Sequence, residues 1–142
     1  MSKKICTSFF VVCCIIIAFV LVGCNESPAS RVNRLAGIKL PSGMEVVYSH
    51  VGQVFSGLAE QYTVFQLKEE PTKFLNKHDF SAKSVADVEF RFETHFILGK
   101  VPQEHHPDLT SNFLYAEFIN KHEIMGLYFP DTLILIMIVW GH

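Results

Sequence analysis

From residue 44 onward, apolar and polar side chains alternate in short runs separated by turn-forming residues, a strand signature. Pro41-Ser42-Gly43 is a turn cluster, and Met44 to His50 follows it with β-branched and aromatic residues, predicting a first strand. Gly52 and Gly57 punctuate the next loop, and Gln61 to Leu67 predicts a second strand. Glu69-Glu70-Pro71-Thr72 ends it, with Pro71 opening a short helix through Asn76. Near the C-terminus the pattern is a meander. Phe113 to Ile119, Ile124 to Phe129 and Leu133 to Trp140 are strands, joined by turns at Asn120-Lys121-His122 and Pro130-Asp131. The last run, Leu-Ile-Leu-Ile-Met-Ile-Val-Trp, is apolar at every position. It is far shorter than the roughly 20 residues a helix needs to cross a bilayer, so it predicts a central strand buried on both faces.

Residues 81 to 98 carry both periodicities. Val85, Val88, Phe92 and Phe96 recur at helical spacing, with Ser81 or Ser84 as a cap and Gly99 as a stop. Val88, Phe90, Phe92, Thr94 and Phe96 also alternate with Glu89, Arg91, Glu93 and His95, as in a strand. The alanines and caps favour the helix. Lys100 to Ser111 is a loop. The order β-β-α-β-β-β predicts an α+β domain, a mostly antiparallel sheet of about five strands packed against one main helix.

The start of the chain has a different character. Lys3 and Lys4 precede an almost wholly apolar run from Phe9 to Val22, a positive n-region and a short h-region. The run ends in Leu21-Val22-Gly23-Cys24, which resembles the lipobox of bacterial lipoproteins. The resemblance covers only this leader. It implies that Cys24 receives a diacylglyceryl group on sulfur, that cleavage falls between Gly23 and Cys24, and that the new amino terminus is acylated. Two or three acyl chains hold a protein on a membrane where one does not. The implied organisation is a signal peptide at 1–23, a lipidated tether at 24–37 and one domain at 38–142. Asn25 stands where an Asp commonly retains lipoproteins at an inner membrane. By the same resemblance the chain belongs outside the cytoplasm, on an outer membrane facing the periplasm if the cell has two membranes.

Cleavage removes Lys3 and Lys4, so the formal charge falls from −2 for the whole chain to −4 for residues 24–142. That argues against nucleic acid or anionic phospholipid as a main electrostatic partner. By the same resemblance Cys6, Cys13 and Cys14 would leave with the signal and lipid would occupy Cys24, which implies a domain without a disulfide that depends on packing. Of its 119 residues 53 are apolar, including ten Phe, which suffices for an ordinary globular core.

Candidate chemistry is sparse. Glu104-His105-His106-Pro107-Asp108 gathers metal-capable groups. Adjacent histidines in an extended loop point apart, however, and His95, His122 or His142 could join them only through tertiary folding. His122 and Glu123 fall in a turn. The serines lack a Gly-x-Ser-x-Gly setting, and no phosphate-binding glycine loop occurs. The expectation is therefore no catalytic residue, no metal ligand and no cofactor. What remains is a non-enzymatic envelope module that binds a protein partner, such as an envelope protein or a toxin, as an accessory, inhibitor or immunity factor. The alternative is a small-ligand or metal-binding lipoprotein using the His105/His106 loop. Oligomeric state is not encoded in any motif.

Overall fold

The computed structural model describes residues 26–52, 60–88, 97–119 and 122–140. Cys24, His95 and His142 lie outside them. Five strands form one sheet: β1 (Glu45–Val51), β2 (Glu60–Gln66), β3 (Leu114–Ile119), β4 (Glu123–Phe129) and β5 (Ile134–Trp140). Their order is β1-β2-β5-β4-β3, and every neighbouring pair is antiparallel. The fold is α+β, with strand ends within one or two residues of those expected.

β5 is the central strand, and both of its faces are buried, as its apolar run requires. Leu135, Met137 and Val139 face one core, and Ile136 and Ile138 face the other. The first core lies under α1 (Pro28–Ala36) and α2 (Thr72–Lys77). The second lies under the irregular segment from 97 to 113, which includes two short 3-10 turns, Ile97–Lys100 and Gln103–His105.

The tether expected over 24–37 is corrected from residue 28 onward. Pro28–Ala36 is a helix of the domain, and among the described residues it is the longest one. Its local signals are complete. The Ser27 side chain accepts from the Ser30 N–H, Pro28 occupies the first turn, and Gly37 ends the helix in the left-handed conformation at φ 64°. Val32, Leu35 and Ala36 share one face and are buried. Burying a Val or Leu side chain contributes roughly 1.5–3 kcal/mol, more than the cap itself. A polar composition concealed an apolar stripe three residues wide.

Within 81–98, Ser84 is the cap: its Oγ accepts from the Asp87 N–H at 3.3 Å, and residues 85–88 are helical. The rest of that expected helix, 89–96, lies outside the described residues. Beside it, Ser81 exchanges two backbone hydrogen bonds with Tyr115 and covers part of the β3 edge. Gly126 gives Phe80 room to lie on the sheet, because a Cβ there would stand 2.7 Å from Phe80 Cζ.

Candidate functional site

The strands have two ends with different furniture. At one end Glu60, Trp140 and Glu123 pair in a row across β2, β5 and β4. At the other, Gln66, Ile134 and Phe129 form the corresponding row. The four-residue turn from Pro130 to Leu133 closes this second end, with Leu133 at φ 54°. The Gln66 side-chain amide donates to Thr132 O at 2.9 Å and pins that turn to β2.

A cleft of about 220 Å³ opens beside the turn, on the face away from the helices. Val64, Phe129, Ile134 and Ile136 line it from the sheet, and Glu104 to Asp108 from the loop. Val47 stands at its border on β1, the edge strand. The register of β1 slips between Val46 and Tyr48, so Val47 is the bulged residue. It is 51% exposed and Val46 39%, an unusual state for β-branched apolar side chains.

The histidine loop is fastened to the sheet by its own residues. The His105 ring stacks on Tyr48, with centroids 4.3 Å apart and planes 20° from parallel. The Tyr62 hydroxyl donates to His105 O at 2.6 Å. Burial, and then the neighbouring Tyr48 phenol, push the Tyr62 pKa well above the ordinary phenol value, so the hydroxyl stays a donor. His106 turns the other way. Its Nε2 lies 2.8 Å from Val101 O and 3.0 Å from Leu98 O. Carbonyls only accept, so this nitrogen carries the proton and is shared between them. Asp108 accepts from the Thr110 hydroxyl at 2.6 Å, the Ser111 hydroxyl at 2.8 Å and the Thr110 N–H at 3.1 Å. Those hydrogen bonds, the Thr110 hydroxyl first, hold its carboxyl below the usual range and keep it ionised.

The loop's two histidines therefore point apart. Among the described residues no three His, Cys, Asp or Glu side chains gather as a metal site. His105 stands at the cleft end, whereas His122 and Glu123 stand at the other end of β4. Glu123 accepts from Trp140 Nε1 at 2.7 Å. The structure thus separates these candidate acid and base groups. Val47 and Val64, which line the cleft, and Tyr48, which stacks on the His105 ring, carried no motif. They come together only through strand pairing.

A second hollow of about 830 Å³ lies between the Pro41–Gly43 turn and Leu67–Phe74. Lys68, Glu69, Glu70 and Lys73 ring it with mixed charge, and it lacks the row of apolar sheet residues that floors the cleft.

No protein-family model matches this chain, and no curated protein or solved structure matches it significantly.

Proposed function

We propose that this chain is a lipid-anchored, non-enzymatic envelope module that captures an extended segment of a partner protein along β1. The observation that carries the reading is the juxtaposition of exposed Val47, the bulged residue of an edge strand, with the apolar-floored cleft that it lines. An added strand takes affinity from main-chain hydrogen bonds and specificity from a neighbouring pocket that receives its side chains. The cleft volume supports a side chain as occupant: small-molecule pockets run from about 300 Å³ upward, and this one is smaller. The engagement of His105 and His106 by protein groups weighs against the metal-binding form of the alternative.

The anchoring half of the reading rests on the resemblance of Leu21-Val22-Gly23-Cys24 to a lipobox. Cys24→Ala abolishes acyl labelling and leaves an unprocessed or mislocalised chain. Normal acylation of that variant would refute it.

The binding half is tested in cells with a photo-crosslinking amino acid at position 47 of the full chain, and at exposed Lys83 as control. The expected outcome is a discrete adduct with one envelope or toxin protein from position 47 alone. The cross-linked peptide lies in an extended segment of that protein, and Val64→Asp abolishes the adduct. The same adducts from both positions would sink the reading.

A further inference from the structure

We propose that the domain stands on the membrane by the strand end that carries Trp140, so that the cleft faces away from the bilayer. The inference rests on the lipid anchor proposed above and adds to it an orientation.

The described fold begins two residues after the proposed anchor at Cys24. Glu26 is bound to α1 through both carboxylate oxygens, which lie 2.9 and 2.8 Å from Arg34 Nε and Nη2. Ser27 caps the same helix. Cys24 is only two residues before Glu26. Two residues of chain reach about 7 Å at full extension, too little to lift the domain off the surface. Whatever surrounds the start of α1 therefore meets the headgroups.

The fold states what that is. Pro28 O accepts from Gln61 Nε2 at 3.1 Å, and Gln61 lies next to the terminal row of the sheet, Glu60, Trp140 and Glu123. From there α1 leads toward the opposite end: Leu40 N donates to Asn33 Oδ1, the chain turns at Pro41–Gly43, and β1 returns from Glu45 to Val51. Val51 pairs with Gln61 and is 44% exposed beside this end. Six residue steps separate Trp140 from Ile134 along β5, about 20 Å at the strand rise. The cleft is at the far end of that distance.

The surface so placed suits an interface. Trp140 is half-buried, packs against the second core and donates its indole N–H to Glu123, which places at this end of the sheet the residue type that concentrates at headgroup depth. The carboxylates at this end are engaged: Glu26 with Arg34, Glu60 with Lys100 Nζ at 2.8 Å, and Glu123 with Trp140. Their repulsion from lipid phosphates is correspondingly reduced.

The chain has a single tryptophan, so its fluorescence reports this end alone. The test uses the full acylated chain in phosphatidylcholine vesicles containing a headgroup nitroxide lipid. A second reporter is a thiol-reactive fluorophore on Thr132→Cys, at the cleft end, which leaves Trp140 in place. Flotation and the mass of the N-terminal peptide establish acylation independently. For a chain that floats, the nitroxide should quench Trp140 several-fold more than the fluorophore at 132. Equal quenching, or stronger quenching at 132, would overturn the orientation and leave the anchor intact. A chain that does not float and has an unmodified Cys24 would overturn the anchoring reading, and the orientation with it.

Discussion

The side-chain amide of Gln61, fully buried in β2, donates to the main-chain carbonyl of Pro28 in the first turn of α1 at 3.1 Å. The same Nε2 lies 2.9 Å from Thr63 Oγ1, which in turn lies 3.1 Å from Ser49 Oγ on β1. One polar chain thus ties α1 to β2 and to the edge strand β1. The Gln61 Oε1 atom is buried without a hydrogen-bond partner. Gln61→Glu places a carboxylate against a carbonyl oxygen in a site closed to water, and should cost roughly 3 kcal/mol or more in urea unfolding. The introduced carboxyl has a folded pKa raised above its unfolded value, so the variant's stability falls as pH rises from 5 to 8. Gln61→Met removes the hydrogen bonds and the unpaired oxygen together and should cost only about 1 kcal/mol. Equal losses in the two variants would contradict this account.

His106 is a fastener for the cleft wall. Replacing it with Phe keeps a ring but leaves Leu98 O and Val101 O without their donor. The expected loss is about 1–3 kcal/mol, with faster hydrogen exchange across 98–106 and little change in β4 and β5. Uniform exchange changes across the sheet would mean that the loop is not locally held.

Gly126 marks the closest approach of Phe80 to the sheet. A methyl there meets Phe80 Cζ at 2.7 Å and Met137 Sδ at 3.3 Å. The Phe80 ring is held between Phe74 and Phe118, at centroid distances of 5.6 and 6.0 Å, so it has limited room to retreat. Gly126→Ala should lose about 1–3 kcal/mol by overpacking. Combining it with Phe80→Leu should recover part of that loss, a coupling that a double-mutant cycle measures. Strict additivity would refute the contact as the cause.

His78 belongs to the same aromatic cluster, 4.8 Å from Phe74 and 5.3 Å from Phe118 between ring centroids. Its Nε2 is buried without a partner. Burial lowers its pKa below the ordinary 6.5, Lys77 adds to the shift, and Asp79 opposes it. The cluster prefers the neutral imidazole. Its contribution to stability is therefore present above pH 6.5 and lost as pH falls through the folded value. The melting temperature of the wild type should drop between pH 7 and pH 5 more steeply than that of His78→Phe. Parallel curves would assign the acid sensitivity elsewhere.

Sequence alone determined the strands, because each element writes its burial along its own length. Alternation located β1 to β4, and the unbroken apolar run from 133 to 140 placed β5 at the centre, since only a strand covered on both faces tolerates that composition. The separation of His105 from His106 also followed locally, from adjacency in an extended loop. The helix at Pro28–Ala36 had its cap, proline and terminal glycine in plain view, yet its short polar sequence concealed a stripe of three buried residues. Tertiary structure decided the rest. The pairing of Tyr48 with His105, the cleft between β1 and the 104–112 loop, and the opposition of the Trp140 end to the cleft end all join residues tens of positions apart. Those contacts are set by strand register and by which face each connection crosses, and no local pattern of side chains encodes either.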